Sequence, residues 1–314
     1  MQSSGPRYNA YGAFLKRKFG MRVHKVPVNA GFTCPNRDGT VAVGGCTYCN
    51  IDSFTPQGAR ARIPIREQVQ NGIAYLKRRL DARAFIVYFQ PYSNTYAPLQ
   101  QLKKLYEEAL DHPEVVGLSV GTRPDCVEDP KLDYLAALSR DRFVTVEYGI
   151  ETVWDETLRL INRAHDYACT VDAIRRTASR GLHVCGHVIL GFPNETREQM
   201  LQTAEEISTL PLDFVKIHNL HIVRHTQLAK QYETQPFPVF TLEEWVDLVV
   251  AFLERLNPRF VVERLYGDAP KHLLIAPEWC RDGGKIIHAV QQELTRRNTF
   301  QGRLFAQPVV AALG

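Results

Sequence analysis

Short apolar runs and amphipathic stretches alternate along most of this chain. Tyr11, Phe14, Leu15 and Phe19 recur at helical spacing among Lys16, Arg17, Lys18 and Arg22, which predicts a helix with a solvated basic face. Val26-Pro27-Val28 then reads as a short first strand. Further runs rich in strand formers follow at Ala84–Phe89, Val115–Val120, Phe143–Gly149, His183–Leu190 and Phe214–His218. Helical patterns fill the intervals, over Arg66–Leu80, Pro98–Leu110, a stretch opened by Asp129-Pro130, and Asp172–Arg180. Asp129 is a candidate N-cap, with proline at the first helical position. Thr196 with Gln199, and Thr241 with Glu244, have the capping-box spacing that opens a helix by exchanging hydrogen bonds across its first turn. The second box opens a helix over Thr241–Leu256, ahead of an apolar run at Arg259–Glu263 and a last helix over Gly284–Arg297.

Short buried strands separated by amphipathic helices define βα units and a parallel sheet. Six or so such units without a break in composition predict an α/β barrel, whole or partial, of (β/α)6 type. No repeat of about 20–50 residues interrupts the pattern. In such a barrel, chemistry gathers where strands end and the following loops begin.

Composition narrows the class. With 314 residues and 45% hydrophobic content, the chain can bury a sizeable core. A net charge of +4 permits an anionic partner such as RNA without requiring one. No apolar run reaches membrane-span length, and the opening Met1–Tyr8 has no secretory apolar region. Seven cysteines without an export signal point to a reducing, cytoplasmic setting and against a disulfide framework. Cys126, Cys169, Cys185 and Cys280 are far apart and read as small buried side chains.

The other three cysteines lie within sixteen residues, as Cys34-x11-Cys46-x2-Cys49, in a segment that also holds Gly31, Gly39, Gly44 and Gly45. Thiolates bind soft metal centres, and glycines let a loop fold round a small object. Three unrelated loop cysteines, or a zinc site completed by a distant residue such as His24, are the alternatives to a metal cluster. Structural zinc and closed iron–sulfur sites take four ligands, whereas three leave one iron open.

With Tyr48 just before the last cysteine, this stretch resembles the radical S-adenosylmethionine (SAM) superfamily. The wide first spacing is similar to the Elongator-catalytic-subunit-like group. Asn36-Arg-Asp-Gly-Thr40 and the downstream blocks resemble bacterial YhcC/YtqA-type radical SAM proteins over roughly residues 10–305. The resemblance implies a partial TIM-like radical SAM barrel over residues 1–257, with a family-specific C-terminal extension over 258–314 packed on it. It implies that Cys34, Cys46 and Cys49 hold a [4Fe-4S] cluster, and that S-adenosylmethionine binds beside it.

It also places cofactor contacts at strand ends. Gln90, Ser93 and Thr95 occupy the loop that in the superfamily helps hold the methionyl amino group, here without its glycines. Thr122, in Gly121-Thr-Arg-Pro-Asp125, stands beside the position where the Elongator-like group has glutamate. Strand alternation puts Glu147, Gly149 and Glu151 on one face. By resemblance Glu151 accepts a hydrogen bond from SAM. Arg163 looks like the superfamily's arginine to the SAM carboxylate; its planar fork suits one, and a surface ion pair is the alternative. His187 and Gly191 share a face in a block similar to the one flanking the adenine. Lys216 and His218 share another, open to substrate, whereas His218, His221 and His225 make a poor metal site because i and i+3 on a strand face opposite ways.

The Elongator-like relatives modify wobble uridine, so the resemblance implies tRNA as the substrate and a one-electron donor such as flavodoxin or ferredoxin. The acetyltransferase domain of the Elongator subunit has no counterpart in this sequence. Tyr92, Tyr96 and Trp279 are candidate stacking platforms for a base. Arg60, Arg62, Lys77, Arg78, Arg79, Arg296, Arg297 and Arg303 could make a phosphate-binding surface or ordinary solvated helix faces. Small-molecule radical chemistry and a non-catalytic, zinc-stabilised RNA-binding protein are the other readings.

Overall fold

The computed structural model describes residues 6–55 and 60–306; Met1–Gly5, part of the opening read for an export signal, lies outside them. The first helix, α1 (Tyr11–Phe19), leads into β1 (Val23–Val28). The cysteine loop and α2 (Ile65–Arg79) carry the chain to β2 (Ala84–Phe89), followed by α3 (Leu99–Leu110), β3 (Val115–Thr122), α4 (Asp129–Leu138) and β4 (Phe143–Glu151). After α5 (Asp155–Leu160) and α6 (Tyr167–Ala178) come β5 (His183–Leu190), α7 (Arg197–Ile207) and β6 (Phe214–Asn219). Short β7 (Ile222–Val223), α8 (Gln227–Thr234) and α9 (Leu242–Arg255) precede β8 (Val261–Arg264). Finally β9 (Leu274–Ala276) pairs antiparallel with β7, and α10 (Gly283–Arg296) follows.

Seven strands form one parallel sheet in the order β1-β2-β3-β4-β5-β6-β8, curled into a half-barrel. The expected six or so units become seven strands because Val261 and Val262 pair with Phe214 and Val215 beyond β6. Parallel strands are covered on both faces, which is why β2 is apolar and buried at every position. One face, including Val26, Val87, Val120, Val146, Val188 and Ile217, packs in the main core under the helices.

Capping follows sequence in most places. Thr196 and Thr241 both form complete capping boxes. At α4 the cap is Glu128 rather than Asp129. Asp129 is already helical, and its carboxylate is drawn to Arg176 at 2.9 Å and Arg180 at 3.1 Å, so it is not free to cap. α6 begins five residues ahead of the expected Asp172, because Asp166 accepts a hydrogen bond from the Cys169 N–H at 2.8 Å and starts the helix there.

The opposite face of the strands is layered. At the end where strands begin, Val23, Ala84, Ile86, Phe143, Cys185, Phe214 and Val261 form a second apolar cluster with Tyr11 and Leu15 of α1. Tyr11 and Phe214 meet edge-to-face with centroids 5.3 Å apart. The residue before α1 bridges Val262, whose N–H donates to the Asn9 carbonyl at 2.8 Å. Thus α1 closes the floor of the half-barrel and touches β8 as well as β1. Replacing Phe214 by alanine removes the centre of this floor. Denaturant unfolding is expected to show a loss of about 3–5 kcal/mol, and a loss below about 1 kcal/mol would contradict a packed floor.

Candidate active site

Beyond β1 the chain crosses the C-terminal ends of the strands as the cysteine loop. It turns at Gly44 and Gly45, both at positive φ (83° and 77°), a conformation only glycine adopts readily. The turn sends Cys46 inward. Cys34, Cys46 and Cys49 all line one cavity of about 740 Å³. Hydrogen-bond donors converge on the sulfurs. Asn36 Nδ2 donates to Cys46 Sγ at 3.3 Å and Ser93 Oγ to Cys34 Sγ at 3.3 Å, while Arg163 Nη1 lies 3.7 Å from Cys46 Sγ.

Donors and cations around three thiols suit sulfur in its thiolate form. Burial alone pushes the other way, raising the Cys34 thiol and, with Cys46 beside it, raising Cys49 to about 12. A bound metal deprotonates a coordinating thiol outright, so the donor set fits a metal cluster. His24, the alternative fourth ligand for zinc, is not on the cavity wall, and its neighbour Lys25 is.

Two buried arginines stand beside the thiols. Arg123 holds Asp125 through Nε and Nη2 at 2.8 and 2.7 Å and donates to the Arg163 carbonyl at 2.8 Å, leaving Nη1 buried without a partner among the described residues. Arg163 is not a surface residue: it donates to the Gly149 carbonyl at 2.7 Å and pairs with Glu151 at 3.5 Å, and its Nε has no partner among the described residues. A side chain at Gly149 would collide with both partners, its Cβ falling 2.3 Å from Glu151 Oε1 and 2.7 Å from Arg163 Nη2. Glu151 reaches the wall through a register shift in β4 and a positive φ of 65°. Orphaned guanidinium N–H groups in a cavity are binding capacity for an anion such as a carboxylate.

Deeper in the same cavity, Glu147 is the hub of a buried charge cluster. Its Oε1 accepts from Lys25 Nζ at 2.6 Å and from the Ser119 hydroxyl, and its Oε2 from His187 Nε2 at 2.7 Å and from Lys216. Glu263 pairs with Lys25 at 2.6 Å and Lys216 at 3.0 Å. Burial works against the Glu147 charge, but Lys216 and Lys25 outweigh it and hold the carboxyl well below its ordinary value. Burial likewise opposes both ammonium charges, and the two glutamates overcome it. Burial and Lys216 lower His187, which leaves a neutral imidazole. Glu147, Cys185 and His187 have ligand atoms within 4.8 Å of one another. The two lysines already neutralise that carboxylate, so a metal ion there would have to displace them.

Among the residues singled out by sequence, Tyr48, Gln90, Ser93, Thr122, Glu147, Glu151, Arg163 and His187 all line the cavity with the three cysteines. Thr95 does not; it is fully buried behind the wall, hydrogen-bonded to the Thr122 hydroxyl at 2.6 Å and donating to the Cys126 carbonyl at 2.7 Å. Gly191 follows β5 at φ 107° and faces the Phe240 ring rather than sharing the His187 face, because the strand stops at Leu190. His218 and His221 both reach the cavity, contrary to the opposite-face expectation, because β6 ends at Asn219 and alternation stops there. Tyr92 lines the cavity, Tyr96 bonds Thr40, and Trp279 is packed on Trp245 with its Nε1 donating to the Phe240 carbonyl. The proposed phosphate surface is largely matched internally: Arg296 and Arg297 pair with Glu293, Arg303 with Glu254, and Lys77 with Glu114. All seven cysteines are free.

Lys25, Asn36, Arg123 and Glu263 were not among the expected site residues. Lys25 and Lys216 carry a readable signal, a lysine in the middle of a strand-forming run.

Three inward thiols at the C-terminal mouth of a curled parallel sheet, flanked by arginines, define an iron–sulfur enzyme of the radical SAM class. The profile of the Radical SAM superfamily matches residues 32–207 and that of the Radical_SAM C-terminal domain residues 212–296, and the chain belongs to the radical SAM superfamily. This family uses a [4Fe-4S] cluster and S-adenosylmethionine, and the protein is an enzyme of that kind. The chain is 37% identical to Uncharacterized protein YtqA of Bacillus subtilis over 299 residues, 95% of this chain and 93% of that protein. It is 26% identical over 199 residues to the tRNA uridine(34) acetyltransferase of Methanocaldococcus infernus, covering 62% of this chain and 36% of that one. Its fold matches the archaeal Methanocaldococcus infernus Elp3 with TM-score 0.68 at 17% identity, over 89% of this chain and 64% of that one. No helix among the described residues is long and apolar enough to cross a membrane.

The charge cluster makes stability depend on acid in a definite direction. Because the native Glu147 carboxyl titrates well below its ordinary value of 4.5, its contribution is complete above that value and is lost as pH falls through the native one. Urea unfolding from pH 7 to pH 3 is expected to show Glu147→Gln about 3–5 kcal/mol less stable at neutral pH. The gap should narrow in acid, and a pH-independent gap would count against the ion-paired carboxylate.

Proposed function

We propose that this enzyme modifies tRNA at a uridine of the anticodon wobble position. In this reading Cys34, Cys46 and Cys49 hold the cluster and the neighbouring strand ends hold S-adenosylmethionine. The observation that carries the cofactor assignment is the convergence of three thiols, Asn36, Ser93 and Arg163 on one cavity wall. When bound, the cluster and S-adenosylmethionine supply a carbon-centred radical that removes a hydrogen atom from the substrate. The chain's own residues bind, orient and exclude water. Arg163, with a free buried N–H, takes the SAM carboxylate, and Arg123 adds positive potential beside it. Gln90 and Thr122 offer polar contacts on one side of the cavity and Glu151 on the other, with Thr95 fixing the Thr122 hydroxyl. Tyr48 and His187 line the remainder, and a one-electron donor such as flavodoxin or ferredoxin completes the cycle.

The likeness to a tRNA uridine(34) acetyltransferase supports tRNA as the substrate, and the +4 net charge is compatible with it. The base would have to leave its stack to enter so deep a cavity, as bases do in other modifying enzymes. A small-molecule substrate is the second reading, favoured by the internal pairing of the tail arginines. Two measurements decide. After anaerobic reconstitution the wild type is expected to carry about four irons with matching sulfide, and Cys46→Ala to lose most of both. Zinc without sulfide would contradict the cluster. Cells lacking this gene are expected to show altered modified uridines in tRNA, restored by the wild type but not by Cys46→Ala. An unchanged nucleoside profile, with tRNA failing to bind at moderate salt, would leave the small-molecule reading.

A further inference from the structure

The inner end of the cavity holds charges in balance. Lys25 and Lys216 face Glu147 and Glu263, and the neighbouring His187 and His218 are both kept neutral by burial and by nearby cations. Both ammonium groups lie over the Tyr88 ring, 4.9 and 4.5 Å from its centroid. A phosphate, a carboxylate or an amine brought here would leave one buried charge unmatched, which is costly in a low-dielectric interior. A neutral group carries no such penalty.

Two buried polar atoms at this end, Glu263 Oε2 and His218 Nε2, have no partner among the described residues. Glu263 Oε1 serves both lysines, while Glu263 Oε2 is buried and unpaired. His218 Nε2 is in the same condition, and its ring lies 5.8 Å from that of His187. Both residues line the cavity that the three cysteines share. A buried carboxylate oxygen calls for an N–H or O–H donor, and a neutral imidazole nitrogen carrying hydrogen calls for a carbonyl.

We propose that this end is a substrate subsite for the imide edge of a uracil ring, with Glu263 accepting from the ring N3–H and His218 donating to an adjacent carbonyl. The assignment rests on the tRNA uridine reading above and names the groups that recognise the base. A neutral ring whose donor is flanked by acceptors fits a cluster that is itself neutral. The phosphates of the same nucleotide belong toward the mouth, where Arg264 is exposed and paired only with Asp268 among the described residues, at 3.2 Å.

The test uses the reconstituted protein and two short anticodon stem-loop RNAs, one with uridine and one with N3-methyluridine at the wobble position, with binding read by fluorescence anisotropy. The wild type is expected to prefer the uridine RNA by about tenfold or more, since a site built to pair a donor rejects the analogue lacking it. Glu263→Leu, which has no acceptor, is expected to erase that preference while still binding RNA. Because Glu263 also holds two lysines, His218→Phe is measured in parallel, together with thermal melting of both variants; it should lose most of the preference without disturbing that network. Equal binding of both RNAs by the wild type, or a preference retained in both variants, overturns the subsite and leaves tRNA binding intact. If neither RNA binds the wild type, the tRNA reading fails and the subsite with it.

Discussion

One buried carboxylate ties this enzyme together. Glu147, on the middle strand of the sheet, holds Lys25 of β1 and Lys216 of β6, and both lysines reach Glu263 of β8. The sheet does not close by hydrogen bonds between its strands, since β1 and β8 are its two edge strands. The Lys25–Glu263 pair joins those edges across the interior, and α1 covers the gap below them. Buried ion pairs are rarely the cheapest way to stabilise a core. The apolar layer directly beneath shows that this sequence can fill the interior with Ile86, Phe143 and Phe214 when only packing is required. The charge layer is therefore a feature of the site as much as of the fold, and it sets the polarity of the chamber that substrate must enter.

Above that layer the requirements reverse. The cysteine loop lies across the strand ends, where a parallel sheet has no further backbone pairing to offer and side chains from successive loops converge. Here the cavity is lined by thiols and by guanidinium N–H groups without partners among the described residues, a combination with binding capacity for a metal cluster and an anionic ligand. The half-barrel thus separates an apolar floor, a balanced polar layer and a mouth lined by thiols and arginines.

Much of this was legible in the sequence because it is local. The alternation of apolar strands and amphipathic helices gave the parallel sheet, and Thr196 and Thr241 marked helix starts that formed as expected. The Cys34–Cys49 spacing marks the site, and period-two alternation accounts for Glu147 on the inner wall, whereas Glu151 reaches it only through the register shift in β4. What escaped was pairing between distant segments. Lys25 and Glu263 are 238 positions apart, and nothing near either names the other. Asp129 could not be recognised as diverted from its cap, because Arg176 lies on α6 and Arg180 just beyond it, far from Asp129 in sequence. Alternation also misled where strands stop: His221 and Gly191 follow the geometry of turns, which a strand pattern cannot project.

In the proposed site, three sulfurs of this chain leave one iron open to S-adenosylmethionine. Low-temperature electron paramagnetic resonance of the reconstituted, reduced protein, recorded before and after adding S-adenosylmethionine, tests it most directly. The expected result is a cluster signal whose g-values shift when the sulfonium nucleotide is added. A signal that S-adenosylmethionine leaves unchanged would mean that a protein ligand already occupies that iron, and the account would fail.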